Sequence, residues 1–140
     1  MKKYIFYLAF FLISTLSFGQ ETEDEKIESL KTAFITEALS LTPEEAQAFW
    51  PIYNLFEDKK EALYDAKWCE VKNGLDIIEE IDEAKAEQLL ATYMKMKEER
   101  LKLRQEFVAE LEKLMSPKKI LMLKKAEHDF HKMLLEKYKK

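Results

Sequence analysis

The chain is poor in the residues that build turns, since its 140 residues include only two glycines and three prolines. Sheet proteins and enzymes with shaped loops use more of both at their connections. The sequence contains no glycine-rich phosphate loop, nucleophile elbow or metalloprotease helix motif. Adjacent acids such as Glu44 and Glu45 occur by chance on charged helices, whereas acid–base catalysis needs carboxylates that converge in a pocket. We therefore predict a protein without catalytic residues or cofactors.

Cysteine is equally scarce, because Cys69 is the only one and no disulfide can form within the chain. In an oxidising compartment an exposed thiol at this position could cross-link two copies. The alternative, which we favour, is a small buried apolar side chain beside Trp68, because free cysteine is among the most buried residue types.

Histidine is limited to His128 and His131, which lie three residues apart and so on one side of a helix. Glu127 or Asp129 could add an oxygen ligand, which makes a weak zinc, nickel or copper site conceivable. A structural zinc site, however, has four ligands and a catalytic one has three plus water. We favour two ordinary histidines on a polar face, and keep the pair as a weak metal candidate.

Long apolar runs are limited to one, between Tyr4 and Phe18. Lys2 and Lys3 precede this run, and small residues at its end, Ser17 and Gly19, have the spacing of a signal-peptidase site. Residues 1–19 are therefore predicted to be a signal peptide.

Cleavage before Gln20 would leave one mature helical domain, residues 20–140. The apolar run is shorter than the roughly 20 residues of a membrane-spanning helix. No cysteine stands at the cleavage site to carry a lipid. We expect a periplasmic protein without stable membrane insertion, and the alternative is that residues 1–19 remain as an uncleaved anchor.

The charge balance is acidic, with a formal net charge of −4 that becomes −6 when the signal segment takes Lys2 and Lys3 away. A duplex-binding protein normally has a basic face and a high pI. This argues against nucleic acid as a partner.

Apolar side chains recur at helical spacing in four segments, which predicts an all-α protein. The segments are approximately 23–39, 43–74, 82–114 and 117–137. Within the second, Pro51 predicts a kink or a restart near Phe49 and Trp50, and Asn73-Gly74 offers a C-terminal cap. The third has these apolar positions: Leu90, Tyr93, Met94, Leu101, Phe107, Val108, Leu111 and Leu114.

The second and third segments have about 30 residues each, or roughly 45 Å of helix. Helices of this length cannot wrap one globular core in so short a chain. They need a hairpin packed along its length or a second copy, which predicts a homodimer.

Two triplets of an apolar residue, a hydroxyl residue and proline open the second and fourth segments, namely Leu41-Thr42-Pro43 and Met115-Ser116-Pro117. The hydroxyl can cap the first turn, and proline suits the first helical position. Glu45 stands at the capping-box position after Thr42. The second start is weaker, because Lys118 and Lys119 oppose the helix dipole.

These starts, the signal segment and the helical body resemble the Spy/CpxP-like periplasmic proteins, also called the LTxxQ-motif family. The likeness covers roughly residues 25–137, with Glu45 and Lys119 in place of the two motif glutamines. Residues 41–53 also resemble small exported helical proteins labelled sensors of extracytoplasmic-function sigma factors.

The resemblance implies a bent, hairpin-like four-helix protomer that pairs into an antiparallel, cradle-shaped dimer. Its leading functional expectation is an ATP-independent holdase-type chaperone of the envelope stress response, with unfolded or envelope proteins as partners. The alternatives are a regulator that binds a membrane sensor or anti-sigma factor, and a periplasmic metal sensor.

A surface that mixes aromatic or methionine contacts with mobile charges can bind many clients weakly. The client-binding candidates are Tyr93, Met94, Met96, Lys97, Arg100 and Arg104. The alternative is that Tyr93 and Met94 pack the core. Four cations distinguish the chaperone from the regulator, namely Arg100, Arg104, Lys124 and Lys125. Their position on one concave surface would favour the chaperone, and their dispersion would favour the regulator.

Overall fold

The computed structural model describes residues 22–139, which form four α-helices and no strand. The helices are α1 (Glu23–Ala38), α2 (Pro43–Asp76), α3 (Glu83–Glu112) and α4 (Pro117–Tyr138). The all-α, four-helix prediction is confirmed, and the predicted boundaries lie close to the observed ones. The dimer stays a prediction, and the signal segment lies outside the described residues.

The chain divides into two compact units, one up to Ala33 and the other from Phe34 onward. In the first unit α1 begins with a reciprocal cap. The Thr22 hydroxyl accepts a hydrogen bond from the Glu25 backbone N–H at 3.2 Å, and the Glu25 carboxylate accepts one from the Thr22 N–H at 2.7 Å. Two of the free N–H groups at the start of α1 are thereby satisfied.

The second unit opens with the end of α1, where Ser40 takes a left-handed conformation with φ of 48°. The N–H of Ser40 bonds to the Glu37 carbonyl at 2.9 Å, and the N–H of Leu41 bonds to the Thr36 carbonyl at 3.1 Å. This pair of bonds is a Schellman motif. The residue with positive φ in this motif is usually glycine, because glycine has no Cβ. Ser40 therefore carries a conformational cost at this corner.

Helix α2 continues through Pro51 without a break, so the restart predicted near Phe49 and Trp50 is wrong, and the kink predicted as its alternative stays a prediction. Buried rings on both sides of the proline, Phe49 and Tyr53, hold this part of α2 against the core. The Trp50 indole N–H also donates to the Thr36 hydroxyl at 3.2 Å. The packing of these side chains outweighs the loss of the backbone hydrogen bond that proline cannot donate.

The predicted cap at Asn73-Gly74 is also wrong, because α2 continues to Asp76 and Gly74 has no positive φ. Gly74 is buried, and a Cβ added there would clash with the Leu89 side chain. The glycine thus lets α3 approach α2 closely where the two helices converge.

Helices α2 and α3 pack along one another as an antiparallel hairpin. The pairing runs from Gly74 against Leu89 to the stacked rings of Phe56 and Phe107, whose centroids are 4.2 Å apart. All four helices contribute to one apolar cluster at the end of the hairpin that holds these rings, and its buried members are Ile35, Leu39, Phe49, Tyr53, Phe56, Phe107, Leu111, Leu123 and Ala126. Toward the other end the hairpin buries its own smaller set: Val71, Gly74, Leu89 and Met96.

Among residues 22–139, none of the helices combines the length and the apolar character that crossing a bilayer would need.

The Ser40 corner generates a first prediction. Replacing Ser40 by glycine should raise the free energy of unfolding by up to about 1 kcal/mol, because glycine takes positive φ without a Cβ clash. Ser40→Ala is the matched control, since alanine keeps the Cβ. Chemical denaturation measures both, and equal stability of the two variants would contradict this account of the corner.

The ring stack generates a second prediction. Phe107→Ala should lower the free energy of unfolding by about 3–5 kcal/mol, because it empties the centre of the cluster. Leu101→Ala, on the exposed side of the same helix, should change it by less than about 0.5 kcal/mol. Similar losses in urea denaturation of the two variants would show that the cluster is not the main source of stability.

Candidate functional site

The predicted client-binding residues on α3 do not form one surface. Met96 is only 5% exposed and packs inside the hairpin. It follows Met94 by two residues, which places it on the far side of the helix. Met96 is therefore removed from the candidate surface, and the reason is helix geometry.

Met94 is exposed, so the alternative that it packs the core is wrong. Tyr93 is half-buried, and the Lys97 ammonium lies 5.1 Å from the centre of its ring. A cation at this distance is attracted by the face of the ring. Tyr93 and Lys97 thus form a contact pair at the edge of the exposed side of α3.

The two arginines differ in their surroundings. Arg104 is half-buried, and its guanidinium carbon lies 5.6 Å from the centre of the Phe56 ring. Lys60 lies at the same distance from that ring. Arg104 therefore helps to cover the aromatic stack, whereas Arg100 is exposed.

An exposed apolar stripe runs along α3 beside these residues. Leu90, Met94 and Leu101 are 61%, 57% and 56% exposed, and their spacing of four and seven residues places them on one face. We call these three residues the α3 stripe. Lys97 lies within the same face.

The sequence analysis missed that Leu90 and Leu101 are exposed, because it placed both in one periodic apolar series that included Phe107 and left out Leu89. Leu89 and Leu90 are adjacent, so their side chains point about 100° apart and cannot both face α2. The buried series includes Leu89, and the exposed series includes Leu90. A second apolar series of this kind was the available signal for a binding face.

Aromatic and sulfur side chains are also exposed on α2. Tyr64 is exposed and stacks on the half-buried Trp68, with 5.9 Å between the ring centres. Cys69 is exposed, so the preference for burial was wrong. Its position follows from the helix, which turns Trp68 toward the protein and the next side chain away from it.

Both helix starts singled out in the sequence carry the predicted hydroxyl cap. The Thr42 hydroxyl accepts from the Glu45 N–H at 3.1 Å, and the Ser116 hydroxyl accepts from the Lys119 N–H at 3.3 Å. Both predicted caps are confirmed. Leu41 and Met115, which precede the caps, pack against the apolar cluster.

A charge pair joins these starts. The Lys119 ammonium donates to Glu45 Oε2 at 3.0 Å, and the Thr42 N–H donates to the same oxygen at 3.0 Å. The bond from Thr42, followed by the bond from Lys119, lowers the pKa of the Glu45 carboxyl below its ordinary value of 4.5. Lys119 opposes the dipole of α4, but it is compensated by an acid of the other start.

Lys124 and Lys125, the α4 residues among the four cations named in the sequence analysis, are each close to an acid of the same helix. Lys125 donates to Asp129, a bond that lowers the pKa of Asp129, and Lys124 lies 3.9 Å from Glu127. Glu127 also accepts a hydrogen bond from the Tyr53 hydroxyl at 3.1 Å. These lysines are therefore locally compensated.

The histidines His128 and His131 are both exposed. The neighbouring acids already have partners, Glu127 with Tyr53 and Asp129 with Lys125. Within residues 22–139 no group of three or more histidine, cysteine or acidic side chains is arranged to hold a metal ion.

Models of protein families, curated proteins and solved structures were compared with the chain, and none of them matches.

The Glu45 environment generates a third prediction. A folded-state pKa below the unfolded one means that ionised Glu45 stabilises the fold above about pH 4.5. This contribution is lost as the pH falls through the lower folded-state pKa. Glu45→Gln should therefore reduce stability at pH 7, and the deficit should shrink toward zero as the medium becomes more acidic.

Urea denaturation of Glu45→Gln and of the native chain across this pH range measures the effect. Glu106→Gln, a change of an exposed acid within α3, is the matched control and should give no such trend. A deficit for Glu45→Gln that is independent of pH would contradict the assigned role of its charge.

Proposed function

We propose that this chain is an exported, non-catalytic envelope-stress protein that binds unfolded polypeptides without ATP, as a holdase-type chaperone does. The single observation that carries the proposal is the α3 stripe, a row of large apolar side chains on a helix whose opposite face is already packed. Burying apolar surface contributes about 25 cal/mol for each Å². A client segment that covers the stripe would gain this contribution with little demand on its sequence.

Charged residues beside the stripe suit weak and reversible binding. Lys97 lies within this face, and its ammonium is held near the Tyr93 ring. Long charged side chains keep an apolar surface hydrated in the free protein and can fold away over a bound segment. The combination of apolar and charged side chains supports a surface that binds many clients rather than one specific partner.

The export part of the proposal is supported by the sequence of residues 1–19, which lie outside the described residues. The resemblance to the Spy/CpxP-like family supports the same place and role. A homodimer is part of the proposal, because apolar side chains of α2, such as Leu55 and Tyr64, remain exposed in one copy outside the α3 stripe.

The second candidate is a regulator that binds the periplasmic part of a membrane sensor or an anti-sigma factor. The distribution of cations favours it. Arg104 covers the Phe56 ring, while Lys124 and Lys125 are compensated by acids of α4. Three of the four cations named in the sequence analysis thus already have neighbouring partners, which leaves less positive charge to attract acidic clients. A specific partner needs no such surface.

An aggregation assay supplies the fourth prediction. The chain from Gln20 onward, without ATP, should suppress light scattering by two unrelated unfolding proteins at near-stoichiometric ratio. Replacing the α3 stripe by glutamine, as L90Q/M94Q/L101Q, should remove most of this suppression, because glutamine keeps helix propensity but removes the apolar contact.

L121Q/L135Q on α4 is the matched control, since both side chains are exposed outside the stripe. Circular dichroism should show unchanged helicity for both variants. No suppression of either client by the native chain would overturn the chaperone proposal and favour the regulator, which a pull-down from envelope extracts would then test. Equal suppression by both variants would remove the stripe from the proposal.

A further inference from the structure

The connection between α2 and α3 exposes aliphatic side chains at the end of the hairpin. Leu75, Ile77 and Ile78 are 49%, 48% and 45% exposed. We call residues 75–83 the hairpin tip. Short connections between helices are usually polar, so three exposed aliphatic residues within four positions are unusual for a structural turn.

The backbone of the hairpin tip is ordered by its own hydrogen bonds. The N–H groups of Ile77 and Ile78 donate to the carbonyls of Gly74 and Leu75 at 3.3 Å each, and the Glu80 N–H donates to the Ile77 carbonyl at 2.9 Å. The Asp82 carboxylate then caps α3 by accepting from the Lys85 N–H at 2.8 Å. The aliphatic side chains are therefore presented on a defined turn.

The charge of the tip has a single sign. Residues 73–84 contain five acids and no lysine, arginine or histidine: Asp76, Glu79, Glu80, Asp82 and Glu83. None of these acids takes part in any ion pair found in the part of the chain that the structure describes. Their negative potential is thus available to a partner.

We propose that the hairpin tip is the docking site for basic amphipathic segments of unfolded polypeptides, in which lysine or arginine alternates with aliphatic residues. This rests on the proposed chaperone function and names the class of client. The aliphatic side chains supply the apolar contact with the bound segment. The five acids favour a segment of positive charge by electrostatic complementarity. Nucleic acid and anionic lipid surfaces are repelled by the same acids.

Peptide binding tests this site independently of aggregation. The probe is a short fluorescein-labelled peptide with lysine and leucine at helical spacing, and its matched partner carries glutamate in place of every lysine. Fluorescence anisotropy with the chain from Gln20 onward should give a Kd about tenfold or more tighter for the lysine peptide. Raising the salt from about 50 mM to about 500 mM should weaken this binding.

Two variants separate the two contributions. E79Q/E80Q should remove the preference for the lysine peptide, and I77S/I78S should weaken its binding about tenfold while the acids remain. L121S/E106Q is the matched control, with one aliphatic and one acid changed at exposed positions outside the tip, and should bind as the native chain does. Equal Kd values for the two peptides, or unchanged binding by both tip variants, would overturn the proposal.

Four further outcomes identify other occupants or separate the two proposals. Binding to phosphatidylglycerol vesicles that the tip variants lose would overturn the proposal in favour of a membrane. Self-association that they weaken would overturn it in favour of a second copy. Suppressed aggregation with no binding of the lysine peptide would overturn the docking proposal for the tip but leave the chaperone proposal intact. Tip-dependent binding of that peptide without suppression of aggregation would support the docking proposal for the tip and overturn the chaperone proposal.

Discussion

The stacked rings of Phe56 and Phe107 join α2 to α3 at the point where all four helices contribute to the apolar cluster. Tyr53 contacts Phe107 edge-on at 6.0 Å, and Arg104 and Lys60 lie close to the Phe56 ring. Large aromatic side chains supply much apolar contact for few residues. In a chain of long, highly charged helices, this cluster holds α1 and α4 to the hairpin within the second unit.

The second organising contact is electrostatic, and it joins the two helix starts that resemble one another in sequence. Glu45 satisfies the N–H of Thr42 and meets the Lys119 ammonium with the same oxygen. The pair lies 74 residues apart in the chain and ties α2 to α4. The two starts are thus complementary, because Glu45 places an acid in one start and Lys119 places a base in the other. Each start caps its own helix, and together they help to position α4.

Away from the cluster, the hairpin has only two helices, and its apolar residues outnumber the sites that a two-helix seam can cover. Leu89 and Met96 fill the seam, which leaves Leu90, Met94 and Leu101 outside it. The tip also carries charge of one sign, since residues 73–84 contain five acids and no basic residue. The separation of a packed end from an exposed hairpin is the physical basis of both functional proposals.

Local chemistry allowed much of this architecture to be predicted from the sequence. The helices, their hydroxyl caps and the proline starts depend on residues within one turn of each other, so the pattern alone identifies them. The same locality explains why the restart predicted at Pro51 and the cap predicted at Gly74 are wrong. Neighbouring residues predict an interruption at each position, but contacts with distant parts of the chain keep α2 continuous.

The sequence by itself thus determined the all-α class, the position of each helix and the acidic, turn-poor character of the chain. Only the tertiary structure decided which apolar face of α3 is covered, why Met96 is buried and Met94 is not, and that Glu45 meets Lys119. The physical reason is that periodicity records where apolar residues lie around a helix. The helix that packs beside them decides which of those residues leave water.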